Sequence, residues 1–68
     1  MNIWDYRYKD IRMKCKISET IYEGTCIDVS PAEDLEAEED AIDLEMPSGD
    51  ILCIFESQIE WIEEVKSW

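Results

Sequence analysis

The stretch KDIRMKCKISETIYEGTCIDV, residues 9–29, decides how this chain folds. Over residues 9–17, Ile11, Met13, Cys15 and Ile17 alternate with Arg12, Lys14 and Lys16, the period-2 pattern of a half-buried strand. Ser18, Glu19 and Thr20 turn the chain, and the β-branched and aromatic run of residues 21–29 predicts a second, antiparallel strand. Gly24 stands in the middle of that run, where glycine weakens pairing unless the backbone bends or another element comes close. A bent strand predicts a barrel.

Outward from this pair, the acidic tract of about residues 31–40 has no apolar period and predicts a solvated, mobile loop. A calcium loop is not expected there, because EDLEAEED offers no glycine for the turn. Ile42, Leu44 and Met46 alternate toward the core until Pro47, Ser48, Gly49 and Asp50 supply a hairpin turn. The nearly continuous apolar run of residues 51–55 predicts a central strand buried on both faces, and residues 59–62 a short closing strand. Ahead of the first strand, Ile3, Trp4, Tyr6 and Tyr8 predict one or two turns of helix capping an open end of the barrel. The expected fold is all-β with a short N-terminal helix: one domain over residues 1–68, a small five-stranded, strongly bent antiparallel barrel.

Charge and composition narrow the function. Eighteen acidic residues against six basic ones give a net charge of −12, which repels phosphate backbones. The sign is uneven: up to Ser18 five basic residues face two acidic ones, whereas Lys66 alone faces sixteen acids thereafter. Cys15, Cys26 and Cys53 are odd in number, scattered among apolar residues and without CxxC spacing, so they read as buried, reduced thiols. Without histidine no structural-zinc pattern exists, and no cofactor is expected. Nucleophilic and acid–base chemistry also lack their parts: no cysteine has a histidine partner, and the paired carboxylates lie on a loop with no apolar pocket. Neither an enzyme nor a small-molecule substrate is expected. The first residues lack the apolar run of a secretory signal and no later run reaches membrane-spanning length, so a cytoplasmic location is expected.

A short N-terminal helix, five bent strands, a glycine inside the second, a variable loop before the third and a tight turn before the fourth together resemble the bacterial Sm-like (LSM) fold. Tyr22 to Cys26 is similar to the apolar–x–Gly–x–apolar segment of the first Sm motif, Ile42 to Met46 to its end, and Ile54 to Ile62 to the second motif. The chain departs from RNA-binding members of that family at the nucleotide pocket: Asp43 stands at the Asn position and Glu56–Ser57 at the Arg–Gly pair. A carboxylate then replaces the guanidinium that attracts phosphate, and family-type RNA binding is not expected.

The leading functional expectation is a non-enzymatic module for protein interaction or self-assembly through barrel edge strands. Trp4, Trp61, Trp68 and Phe55 are its candidate interface residues, because large aromatics dominate interface hot spots. One alternative is an acidic nucleic-acid mimic that occupies the basic groove of a nucleic-acid-binding protein. The other is RNA binding through Arg12, Lys14 and Lys16, against which stands cross-strand ion pairing of these cations with Glu19, Glu23 or Glu60.

Overall fold

The structure, a computed structural model, describes residues 2–66. It is all-β: five antiparallel strands, β1 (Asp10–Cys15), β2 (Ile21–Ser30), β3 (Ala41–Glu45), β4 (Ile51–Phe55) and β5 (Ile59–Glu64), form one sheet in the order β4-β3-β2-β1-β5. No helix among the described residues is long and apolar enough to cross a membrane. The expected N-terminal helix is a single 3-10 turn, Ile3–Tyr6, started by Asn2, whose Oδ1 accepts the Trp4 N–H at 3.1 Å. It docks through Ile3, which is fully buried.

The bend foreseen at Gly24 is where β2 changes partner. Its first half, up to Thr25, pairs with β1, and from Thr25 to Ser30 it pairs with β3. At the crossing the β3 backbone presses on Gly24, and a built Cβ would overlap the Glu45 carbonyl oxygen. A glycine in a strand interior is tolerated where backbones approach this closely.

The sheet curls strongly but does not close. β4 and β5 stand at opposite ends of the strand order, which in a flat sheet would hold them about 19 Å apart at ~4.8 Å per strand. Yet only the 3-10 turn Glu56–Gln58, rising about 6 Å, links them. The sheet must therefore roll until its outer strands meet at that link. One apolar cluster results, with Ile3, Ile11, Met13, Cys26, Val29, Ile42, Leu44, Ile54 and Ile59 drawn from the N-terminal turn and all five strands. Between β4 and β5 there is no strand pairing, so the barrel expected from sequence is an open sheet with two free edges.

Three further expectations need correction, at Ile17, at β4 and at the cysteines. Ile17 is 90% exposed rather than in the core, because β1 ends at Cys15, where the Lys16 N–H is drawn to the Gln58 carbonyl and the Ser18 N–H to that of Cys15. Met46, half-buried at the start of the hairpin turn, packs against the core as expected, its N–H donating to the Asp50 carbonyl at 2.8 Å. β4 is an edge strand: Ile54 is buried and Leu52 packs beside it, while Ile51 and Cys53 face outward and are exposed. Of the cysteines only Cys26 is buried; Cys15 is half-buried and Cys53 exposed, and all three are free.

The acidic tract is also more structured than expected. Residues Ala32–Leu35 form a 3-10 turn that ends in a left-handed Glu36. Asp40 fastens both sides of the tract, its Oδ1 accepting the Ala32 N–H at 2.8 Å and its Oδ2 the Trp4 indole N–H at 2.7 Å. Glu39 forks onto Ser57, accepting from N–H at 2.6 Å and from Oγ at 2.8 Å. Exchanging residues 33–38 for a short Gly–Ser linker should therefore leave the sheet folded, with an unchanged amide spectrum for β1 to β5. Extending the exchange through Asp40 should free the Trp4 turn.

Candidate functional site

The basic strand is neutralised within its own sheet. Arg12 lies opposite Glu23 on β2 and opposite Glu63 on β5, and its guanidinium reaches both carboxylates, at 2.8 and 3.3 Å. Lys14 Nζ lies 2.8 Å from Glu60 Oε2, and that bond is the first cause of its raised pKa. Glu23 and Glu60 are thus the partners anticipated from sequence; Glu19 makes no ion pair among the described residues. Arg7 is held by Asp28 at 3.1 Å and Lys9 by Glu64 at 3.6 Å. Each such surface pair contributes about 0–1 kcal/mol, so their consequence is less stability than the removal of free cations. Lys16 alone of the three candidate RNA-surface residues has no ion pair among the described residues.

The described candidate interface aromatics stand on three different elements: Trp4 on the N-terminal turn, Phe55 on β4 and Trp61 on β5. Phe55 is half-buried at the end of β4, its N–H bonded to Gln58 Oε1 at 3.0 Å, the bond that shapes the turn into β5. Trp61 lies on β5 opposite Lys14, half-buried and outside the core cluster. Trp4 is 39% exposed, and its place against the core is taken by Ile3. The indole N–H bond to Asp40 fixes it near the Phe55 end of β4, since the next residue, Ala41, pairs with Phe55. Trp68 lies outside the described residues.

Two groups escaped the sequence reading. Tyr8 adopts a left-handed φ of 66° and is 67% exposed. A bulky residue in that region costs about 1–3 kcal/mol and persists only where its surroundings impose it. Here the Tyr8 N–H donates to the Cys26 carbonyl at 2.7 Å while the Cys26 N–H donates to Lys9 at 2.9 Å. The Arg7 guanidinium packs 4.6 Å from the Tyr8 ring centre and 5.9 Å from that of Trp4. An exposed Trp–Arg–Tyr stack unites the residue types most enriched at interface hot spots. No sequence period marks it, because the stack depends on the left-handed turn. The second group is a cleft lined by Asn2, Asp5, Tyr6, Glu60, Trp61 and Ile62, between the N-terminal turn and β5.

The Cys26 and Cys53 thiols are both pushed up, first by burial and then, for Cys53, by the Asp43 carboxylate beside it. Among the described residues no three of Cys, Asp or Glu are grouped to hold a metal ion. Comparison with family models, with curated proteins and with solved structures finds no match for the chain.

Asp40 gives the site a pH dependence. Its carboxyl is held below the usual 3.8, first by the Trp4 indole N–H and then by the Ala32 N–H. A carboxylate with a depressed folded-state pKa stabilises the fold above its unfolded value, and the contribution is lost as pH falls through the folded one. As pH falls from about 5 through the carboxylate range, Asp40→Asn should therefore lose less stability than the unmodified chain in paired thermal melts. Parallel acid curves would show that the bond does not hold the turn.

Proposed function

We propose that the chain is a non-enzymatic, Sm-like module that works in the cytoplasm by protein interaction or self-assembly through its edge strands. The observation that carries this reading is the free edge of β4: five consecutive uncharged residues, Ile51–Phe55, in a chain of net charge −12, with Ile51 57% exposed. A long apolar edge presents unpaired N–H and C=O groups as a template for another strand, and natural sheets usually blunt it with charge. Three free thiols suit a reducing compartment. The pairing of Arg12 and Lys14 weighs against RNA binding through β1. The same ion pairs leave the acid surplus unopposed, which supports the second reading, an acidic mimic of nucleic acid.

The experiment is light scattering coupled to size exclusion on the chain and on Cys53→Lys. A lysine at the exposed centre of β4 leaves the core untouched and places charge on the edge. The unmodified chain should elute as an oligomer or with its captured partner, and Cys53→Lys as a folded monomer. A monomer in both cases, with no partner that discriminates between them, would remove the edge from consideration.

A further inference from the structure

The cleft beside β5 has a composition that selects a ligand. It has a volume of about 290 Å³ and combines two carboxylates, Asp5 and Glu60, with the rings of Tyr6 and Trp61. A β-bulge builds it. On β5 the register passes from Ile59 opposite Cys15 to Trp61 opposite Lys14, so that Glu60 is the extra residue. Plain alternation would send Glu60 and Trp61 to opposite faces; a bulge re-aims side chains, and here both line the cleft, with Ile62 lining it too while packing against the core. Bulges concentrate at sheet edges and beside functional sites.

The carboxylates are not used up. Asp5 makes no side-chain hydrogen bond or ion pair among the described residues, and Glu60 meets Lys14 through Oε2 while its side chain stays half exposed. An aromatic wall beside a carboxylate accepts a planar cation in two ways at once, by stacking on the ring face and by pairing with the oxygens.

We infer that this cleft receives a basic side chain, an arginine, from a segment of a partner protein. This assignment presupposes the interaction-module reading and names the chemistry of the partner. A chain of net charge −12 draws basic segments toward it, and the cleft converts that general attraction into a fixed contact at the β5 edge.

The probe is the blocked peptide Ac-Ala-Arg-Ala-Arg-Ala-NH2, titrated into the isotopically labelled chain at about 0.15 M salt, where weak unspecific attraction is screened. The Trp61 indole and the amides of Asp5, Tyr6 and Glu60 should shift, and the citrulline form of the peptide should leave them in place. Asp5→Asn should weaken binding about fivefold and Asp5→Asn with Glu60→Gln at least tenfold, losses that correspond to one and two charge-assisted contacts. The equal charge change Glu33→Gln with Asp34→Asn, at residues that do not line the cleft, should alter it less than about twofold. Since Glu60→Gln also loosens Lys14, the Asp5→Asn result stands by itself. Equal losses from the two pairs, shifts spread over the acidic surface, or no binding at several times about 1 mM would overturn the inference. Light scattering on the same samples separates the two readings. A chain that assembles through β4 yet ignores the peptide overturns the cleft and retains the module; one that binds the peptide in the cleft and stays monomeric retains the cleft and overturns self-assembly.

Discussion

Gly24→Val should cost about 3 kcal/mol or more, a large part of the roughly 3–10 kcal/mol that a domain of this size possesses. The reason is backbone against backbone. A Cβ at residue 24 would overlap the Glu45 carbonyl oxygen and lie 3.0 Å from its carbon and 3.2 Å from Leu44 Cδ1. The Leu44 methyl could rotate away, but the Glu45 carbonyl is fixed by the β2–β3 ladder, in which Thr25 faces Glu45 and Cys26 faces Leu44. Valine adds two methyl groups at the same point, so β2 would have to leave β3 or β1. Urea denaturation should show a lower midpoint with a similar slope, and Gly24→Ala should fall between the two. A melt for Gly24→Val that matches the unmodified chain would mean that β2 does not press on β3.

Two isoleucines with the same chemistry should respond in opposite ways to truncation. Ile59→Ala removes a buried side chain, 3% exposed, where β5 begins beneath the 3-10 link, and should cost about 2–4 kcal/mol through lost burial and the cavity left behind. Ile17→Ala removes one that is almost wholly in water, and should stay within about 0.5 kcal/mol. Sequence alternation treats Ile17 as a core residue of β1, so the comparison tests the fold directly. Equal effects in chemical denaturation would place the end of β1 beyond Cys15 and return Ile17 to the core.

These two residues also show what the sequence could express. Strand existence was legible wherever apolar and charged residues alternate between fixed turns: β1, the Gly24 bend, β3 and the turn at Gly49, whose φ is +94°, all follow from local pattern. Strand position was not. The apolar run Ile51–Phe55 reads identically whether a strand is central and covered or outermost and bare, since the difference lies in what stands beside it. The candidate site divides in the same way. Ion pairing of Arg12 and Lys14 could be anticipated, because cross-strand neighbours follow from register. The Tyr8 stack and the β5 cleft could not, because a left-handed φ and a bulge each change side-chain direction without leaving a mark in residue order.

The pairing of β1 with β5 has a consequence for the chain while it is being made. Arg12 and Glu63 are 51 residues apart in sequence, so β2, β3 and β4 can all emerge and pair before β1 acquires its outer neighbour. Throughout that interval the nascent sheet exposes a bare strand, and contacts of such long range form late because their loop must close first. Arg12 and Lys14 keep that temporary edge charged, as gatekeeper residues do, against pairing with another unfinished copy. When the last strand leaves the ribosome, Glu60 and Glu63 bring the opposite charge, and the side chains that had guarded the edge become the ones that fasten it.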